Sequence, residues 1–149
     1  MSMKPEFEEY IRSVGAPTAL QSRVAEIYEF YESICPEAIT DIVVTDYIDN
    51  GQTRHYESLW FFSRQYSMEA HQFIEKDEFD IVPIEQAIAM IQFDKQDYDF
   101  KRATETSRIN VTFRIGRGMG IVGNLKGARE NCDHIRDVVL KHLIPNLVK

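Results

Sequence analysis

Residues 108–143 read RINVTFRIGRGMGIVGNLKGARENCDHIRDVVLKHL, and this stretch decides the fold. Its first apolar residues alternate with polar ones: Ile109, Val111, Phe113 and Ile115. This period of two predicts a strand with one face in a core and the other in water. The glycine-rich segment 116–120 can supply the positive φ angles of a tight reversal. A return strand over 121–125 would then complete a hairpin.

From Ala128 onward the apolar period becomes helical. The recurring apolar positions are Cys132, Ile135, Val138, Val139 and Leu143. A single apolar stripe with charged residues elsewhere predicts an amphipathic helix packed on the sheet. Asn124 or Gly127 would open this helix, and Pro145 would stop it. His134 and Asp137 are predicted to lie on its polar side.

The same stretch contains a literal G-x-G-x-x-G at Gly118, Gly120 and Gly123. In a dinucleotide-binding turn this motif is followed at once by a helix. Here Gly123 and Gly127 interrupt the would-be first helical turns, so we interpret the segment as a hairpin.

The bulk properties of the 149-residue chain predict one globular domain, 1–149. It would consist of an N-terminal helical extension, 1–36, and a β-barrel with a closing helix, 37–149. No apolar run approaches the roughly 20 residues of a membrane helix. The first residues lack the apolar region of a secretory signal. With Cys35 and Cys132 interpreted as free buried thiols, we expect a cytoplasmic protein.

The net charge of −7 is unevenly distributed. Residues 1–100 carry 20 acidic and 7 basic side chains, whereas residues 101–149 carry 4 acidic and 10 basic ones. The acidic part argues against broad binding of nucleic acids or anionic membranes. The basic end would suit a local anion site or the acidic face of another copy.

Two helices are predicted before the strands. The first has helical spacing from Phe7 to Val14. The second, of about 16 residues, would begin with a capping box of Thr18 and Gln21 and stop at Cys35.

The segment Asp49-Asn50-Gly51-Gln52 predicts a hairpin with a two-residue turn. In that register Asp46 would face His55 as a cross-strand pair, and Asp41 would face Trp60. Bulky residues over 59–62 alternate between both faces, so one face would meet the core and the other a helix.

Two further strands are predicted over 68–74 and 79–82, separated by a polar turn. Residues 84–93 fit either a helix or a strand, and we favour the strand. The resulting α+β chain has about seven antiparallel strands in a barrel or sandwich. Two N-terminal helices precede the strands, and one amphipathic helix follows them.

This order of elements, four strands, three strands and a closing helix, resembles the pleckstrin-homology-like barrel. The alternative is a cone-shaped α+β fold of the nuclear-transport-factor-2 or cystatin type, in which a curved sheet surrounds a pocket.

Motifs for catalysis and metal binding are missing from the sequence. It has no H-E-x-x-H, no C-x-x-C and no G-x-S-x-G. We therefore predict no metal site, no cofactor and no catalytic residues, and lean toward a protein that is not an enzyme.

The favoured hypothesis is an interaction module that binds a protein partner or forms a homo-oligomer. Its binding residues would be Arg114 and Arg117 near the glycine hairpin, or the region of Trp60, Phe62 and His55. Phosphoinositide binding is disfavoured, because the loop 49–52 has no basic residue. The alternative is a small-molecule or enzymatic pocket lined by the aromatic residues Trp60, Phe62 and Tyr66. In that hypothesis its polar group would be His55 or His71.

Overall fold

The computed structural model describes residues 3–50, 52–75, 77–84, 87–93, 108–115 and 121–146. Two helices come first: α1, Pro5–Ser13, and α2, Thr18–Ile34. Seven strands follow: β1, Ile39–Ile48; β2, Arg54–Ser63; β3, Tyr66–Ala70; β4, Phe79–Pro83; β5, Ala87–Phe93; β6, Arg108–Ile115; and β7, Ile121–Ala128. Helix α3, Asn131–Val138, continues into a π-helical turn, Val139–Leu143, and a 3₁₀ turn, Ile144–Asn146.

The strands form two antiparallel sheets. β1 to β4 lie side by side in chain order in a first sheet, and β5 to β7 do the same in a second. The α+β class and the strand over 87–93 are therefore confirmed. The predicted closed barrel is not: within the described residues the hydrogen-bonded strands divide into two separate sheets.

The first sheet is covered on both faces, as its bulky alternating residues predicted. One face packs against α1 and α2, where Ile42, Leu59 and Phe61 meet the apolar stripe of α2. The opposite face packs against the second sheet and α3 through Val43 and Trp60. The predicted apolar stripe of α3 is confirmed, since all five of its members are buried.

The hairpin between β1 and β2 does not have the predicted register. Its turn closes where the Asp49 N–H donates to the Thr53 carbonyl at 3.0 Å and the Thr53 N–H donates to Asp49 Oδ1 at 2.9 Å, so three residues lie in the loop rather than two. Gln52 takes the left-handed conformation, φ 67°, that such a loop requires at its last position. Tyr47 therefore faces His55, and Asp41 faces Phe62.

Strand β7 is longer than predicted, because it runs to Ala128 where we expected a helix to begin. Two of its glycines allow close packing. A Cβ at Gly123 would lie 2.3 Å from the ring of Phe113, and one at Gly127 would lie 2.5 Å from Ile135. The last glycine of the G-x-G-x-x-G pattern thus lies in a strand, beneath an aromatic ring. The other two glycines of the pattern lie outside the described residues.

Two local predictions are wrong for identifiable reasons. Thr18 is the first residue of α2 rather than its cap, and the Gln21 amide donates to the carbonyl of Ala16 at 2.9 Å instead of closing a capping box. Strand β3 ends at Ala70, where a turn begins: the His71 N–H still donates to the carbonyl of Glu78 at 3.0 Å, but Gln72 takes a left-handed conformation, φ 46°, that a strand does not allow.

A buried polar network joins the first helix to the last. The Tyr10 hydroxyl donates to Asn131 Oδ1 at 2.7 Å and accepts from the Val44 N–H at 3.0 Å. The Tyr10 ring stacks on His134 with centroids 3.8 Å apart. His134, predicted on the polar side of the helix, is thus half-buried, donating Nε2–H to the carbonyl of Ile42 at 2.6 Å. Burial lowers the pKa of His134.

Asp46 is the charged centre of that network. Its carboxylate accepts from Arg54 Nε at 2.6 Å and from Asn131 Nδ2 at 2.6 Å. It is 1% exposed, and this burial raises its pKa against the opposing effect of Asn131 and Arg54. Asp46 therefore pairs with Arg54, and the predicted pair with His55 does not form.

Candidate functional site

The second face of the first sheet changes character along its length. Around Trp60 and Phe62 it is apolar and buried by the second sheet. Glu69 on β3 lies directly opposite Trp60, and Asp80 on β4 lies opposite Glu69. Since directly opposed residues share a face, two carboxylates occupy the same face as the tryptophan. The apolar part of the sheet thus borders a polar part.

A β-bulge shapes this polar part. Between β1 and β2 the register shifts at Thr45, which faces two residues of β2, Glu57 and Ser58, instead of one. The Ser58 N–H donates to Thr45 Oγ1 at 2.9 Å, and the two hydroxyl oxygens lie 2.9 Å apart. A bulge re-aims the side chains of its strand. Here Glu57 and Ser58 both line the same cleft.

Glu69, His71 and Asp80 form a compact charged cluster. His71 Nε2 lies 2.6 Å from Asp80 Oδ2 and 3.4 Å from Glu69 Oε1. Glu69 is the most buried member, with 14% of its side chain exposed, against 36% for His71 and 50% for Asp80. The cluster places one histidine between two carboxylates.

The protonation of this cluster is shifted toward neutral pH. Burial raises the pKa of Glu69 to about 7, and the charge of Asp80 acts in the same direction, against His71. The pKa of His71 is also raised. Partial burial opposes this rise, but the hydrogen bond to Asp80 and the charge of Glu69 outweigh it. A carboxyl group that exchanges its proton near neutral pH, beside an imidazole with a raised pKa, is suited to acid–base chemistry.

The cluster opens onto a cleft of about 330 Å³. The first sheet and the β3–β4 loop supply one side of it, and the second sheet supplies the other. Its lining residues are Thr45, Glu57, Ser58, Glu69, His71, Gln72, Glu78, Asn124 and Lys126. The last two come from β7, and Lys126 Nζ lies 3.4 Å from Glu57 Oε1. The cleft is therefore predominantly polar and carries both signs of charge.

Among the described residues, one group has the composition of a metal site. The ligand atoms of Glu69, His71 and Asp80 lie within 4.8 Å of one another, and imidazole with carboxylates suits several divalent cations. In this structure His71 Nε2 is already hydrogen-bonded to Asp80. The ion pair accounts for the geometry, so we base no function on a metal.

A second histidine–carboxylate pair lies at the far end of β1. His142 Nε2 is 2.6 Å from Asp41 Oδ2 and 3.3 Å from Thr40 Oγ1, and the ring of His142 stacks on Phe62. Lys141 Nζ also contacts Asp41, at 2.9 Å. A nucleophile, base and acid in series would use opposite ring nitrogens, whereas here Thr40 and Asp41 share one. This pair therefore has a structural role.

The aromatic residues predicted for the binding region are buried. Trp60 and Phe62 are 2% and 0% exposed and stack on each other with centroids 5.9 Å apart. They form the core between the sheets and do not present a surface. Tyr66, at the start of β3, is half-buried.

Two of the polar residues predicted for binding, His55 and Arg114, are not part of the cleft lining. His55 stacks on Tyr47 and places Nε2 2.7 Å from Asp49 Oδ2. Arg114 is exposed on β6, opposite Val122. Arg117 lies outside the described residues.

The sequence indicates His71 as a possible polar group of a pocket, but its partners were not predicted. The available signal was the polar pair Glu69 and His71, two residues apart next to a strand of otherwise apolar character. The predicted strands, with their turn at 75–78, would have placed Phe73 opposite Asp80. In the structure Glu69 takes that place. The cluster could have been found only with a predicted strand that ended four residues earlier, at Ala70.

Comparison with known proteins gives no match to a family model, a curated protein or a solved structure. In the described part of the chain, no helix has both the length and the apolar character needed to cross a membrane. The molecule is thus defined by its own features, as an α+β protein with a charged cleft between two antiparallel sheets.

Proposed function

We propose that this protein binds a small polar molecule in the cleft between its two sheets, with Glu69 exchanging a proton with that molecule. The observation that carries the proposal is the Glu69–His71–Asp80 cluster at the wall of a 330 Å³ cleft. Ligand sites are typically concave, a few hundred Å³ in volume, and contain residues with shifted pKa values.

The cleft offers several hydrogen-bonding groups besides the cluster. Thr45 and Ser58 contribute hydroxyl groups, and Asn124 contributes an amide. The bulge in β2 supports a binding role, because such irregularities are frequent beside functional sites. Proton exchange at Glu69 is favoured because its pKa, about 7, lies near the pH of most cells.

A ligand screen by thermal unfolding tests this proposal. A small polar molecule at about 100 times its dissociation constant would stabilise the protein by about 2.7 kcal/mol, or roughly 5–10 °C. Glu69→Gln and His71→Asn should abolish that shift. His55→Asn is the matched control, since His55 is another partly exposed histidine 2.7 Å from an aspartate, and should retain it.

A measurement without ligand tests the proposed proton exchange at Glu69. The carboxyl carbon of Glu69 should titrate near pH 7 by nuclear magnetic resonance, well above the usual value of 4.5. A Glu69 that titrates at the ordinary value, together with a screen that gives no shift sensitive to Glu69→Gln, would sink the proposed function.

We also propose a second candidate, an interaction module that binds a protein partner or another copy of itself. The observation that favours it is a group of exposed apolar side chains on α2 and the edge strand β4. Phe30, Ile34 and Ile81 are 44%, 46% and 47% exposed, and Phe30 packs on Phe79 of β4. The order of four strands, three strands and a helix supports a pleckstrin-homology-like shape for such a module.

Light scattering on the purified protein tests this second candidate. If the apolar group mediates assembly, the protein should be oligomeric, and Ile34→Glu with Ile81→Glu should make it monomeric. If the basic hairpin mediates binding instead, Arg114→Glu with Arg117→Glu should disrupt the complex. If the purified protein is monomeric and binds no partner protein, the interaction module is excluded.

A further inference from the structure

The cleft continues beyond the charged cluster into a second recess. This recess has a volume of about 310 Å³ and is lined by Tyr47, Tyr56, Glu57, Gln72, Ile74 and Glu75. Glu57 and Gln72 line both the recess and the cleft. The cleft and the recess are therefore neighbours, and together we call them the trough. The bulge residue Glu57 and the loop residue Gln72 border both parts.

The far end of this trough is apolar and aromatic. Tyr47 is 40% exposed and Ile74 is 55% exposed, so both offer apolar surface to the recess. Tyr47 is held by its stacking on His55, 4.9 Å between centroids. The hydroxyl of Tyr56 donates to the carbonyl of Val14 at 2.6 Å, which fixes that ring as well. Fixed aromatic walls bind flat apolar groups without a large ordering cost.

The near end of the trough is acidic. Glu57, Glu69 and Glu78 line it, and Asp80 adjoins it through its contact with His71. Glu57 and Glu75 line the far recess as well. Among the described residues that line the near end, the basic ones are His71 and Lys126. This excess of carboxylates favours a positively charged ligand over an anionic one.

Lys126 shows how a cation fits this trough. Its ammonium group lies 3.4 Å from Glu57 Oε1 and 6.0 Å from the centre of the Tyr47 ring. A carboxylate and an aromatic face are the two groups that stabilise an ammonium ion. The protein thus holds one of its own ammonium groups between the acidic and aromatic ends.

We propose that the ligand of this trough is a small organic amine, whose ammonium group pairs with the carboxylates around Glu69 and whose aromatic or aliphatic tail lies between Tyr47 and Ile74. This inference rests on the proposed function and adds the chemical class of the ligand. Lys126 competes with the ligand for the same carboxylates. Its removal therefore strengthens binding of a cation, whereas it would weaken binding of an anion.

Calorimetric titration with three probes tests the class of ligand. The probes are 2-phenylethylamine, which has both groups, ethylamine, which lacks the tail, and 2-phenylethanol, which lacks the charge. We expect 2-phenylethylamine to bind about tenfold more tightly than either of the others. Equal binding of ethylamine would refute the apolar subsite, and equal binding of 2-phenylethanol would refute the cationic head.

Variants at exposed positions locate the binding. Ile74→Ser and Tyr47→Ala should each weaken binding of 2-phenylethylamine about fivefold or more. Ile144→Ser is the matched control, at an exposed isoleucine outside the trough, and should bind like the wild type. Lys126→Gln should bind the amine more tightly, and weaker binding by this variant would contradict the proposal. Nuclear Overhauser contacts between the probe ring and Tyr47 in the wild-type protein check the site without any substitution.

The outcomes separate this inference from the function on which it rests. If the amines do not bind but another polar molecule binds in a manner sensitive to Glu69→Gln, the cleft is a binding site and the class of ligand is wrong. If no probe and no molecule of the screen binds, both proposals fail together.

Discussion

Two histidine–carboxylate groups of the first sheet contain the same kinds of residue and behave in opposite ways. At one end of β1 a single carboxylate, Asp41, is shared by His142 and Lys141. On β3 and β4 a single imidazole, His71, is shared by Glu69 and Asp80. Partial burial opposes ionisation of Asp41, but the hydrogen bonds from His142 and Lys141 lower its pKa to about 2. Burial raises the pKa of Glu69 to about 7.

The difference teaches that the ratio of hydrogen-bond donors to carboxylates decides the outcome at similar burial. Two donors on one carboxylate, His142 and Lys141, overcome the cost of removing its charge from water. One imidazole between two carboxylates cannot do this for both, so the more buried Glu69 retains its proton. The first arrangement stabilises the fold, and the second leaves a reactive group beside a cleft.

The largest expected effect on stability is at Asp41, which accepts hydrogen bonds from both His142 and Lys141. Asp41→Asn should lower the free energy of unfolding by about 2 kcal/mol at pH 7, because it removes a charge-assisted hydrogen bond from the buried His142. The folded pKa of about 2 lies below the usual 3.8, so Asp41 stabilises the fold above pH 3.8 and loses this effect as the pH falls toward 2. Urea denaturation at pH 7 and pH 2 measures the loss of stability at each pH. Asp77→Asn, at an exposed ion pair, is the control and should change little. An equal loss at both pH values would contradict this explanation.

A change of the opposite sign in the free energy of unfolding is expected at Glu69. Its folded pKa, about 7, lies above the usual 4.5, so the folded state loses stability as the pH rises from 4.5 to 7. Glu69→Gln should therefore stabilise the protein by about 1 kcal/mol at pH 8 and have less effect at pH 4. Thermal or urea unfolding at the two pH values tests this. Glu57→Gln, in the same cleft but with 43% of its side chain exposed, is the matched control. A destabilised Glu69→Gln protein at pH 8 would contradict the raised pKa, because it would show that the ionised carboxylate stabilises the fold.

A smaller effect is expected at the imidazole itself. The hydrogen bond to Asp80 is the largest influence that raises the pKa of His71. Asp80→Asn should therefore lower that pKa, as followed by the imidazole proton resonances of His71. Those of His55 in the same sample provide an internal reference. A pKa of His71 that does not move would mean that Asp80 is not its main partner in solution.

The smallest effect is expected at Lys141, whose side chain is 57% exposed. Exposed ion pairs contribute about 0–1 kcal/mol, so Lys141→Ala should lower the free energy of unfolding by less than about 0.5 kcal/mol. Urea denaturation at low and high salt measures it, and the difference should vanish at high salt. A loss as large as that of Asp41→Asn would show that Lys141, rather than His142, is the main partner of Asp41.

The general architecture could be predicted because it follows from periodicity. The alternation in β6 and the stripe of α3 each identify an element and the face that it buries. The bulky residues of β2 likewise predicted that both faces of the first sheet would be covered. These features depend on which residues must leave water, and a sequence records that directly.

The cleft could not be predicted because it depends on register. The hairpin gained one loop residue at Gln52, and a bulge added a second shift at Thr45. Each single-residue shift exchanges the side chains between the two faces of a strand. The sequence pattern around Glu57 and Ser58 does not show that both of them would face Thr45. His55 was consequently paired with the wrong aspartate.

The contacts of Tyr10 have a consequence for the mechanics of unfolding. One side chain of the first helix holds the backbone of β1 at Val44 and packs on Asn131 and His134 of the last helix. Detaching the first helix would leave those buried polar groups without partners, at a cost of about 1–3 kcal/mol for each group. We therefore expect the N-terminal helices to melt together with the sheets in a single cooperative transition. The residues predicted to be a helical extension would then behave as an integral part of one folding unit.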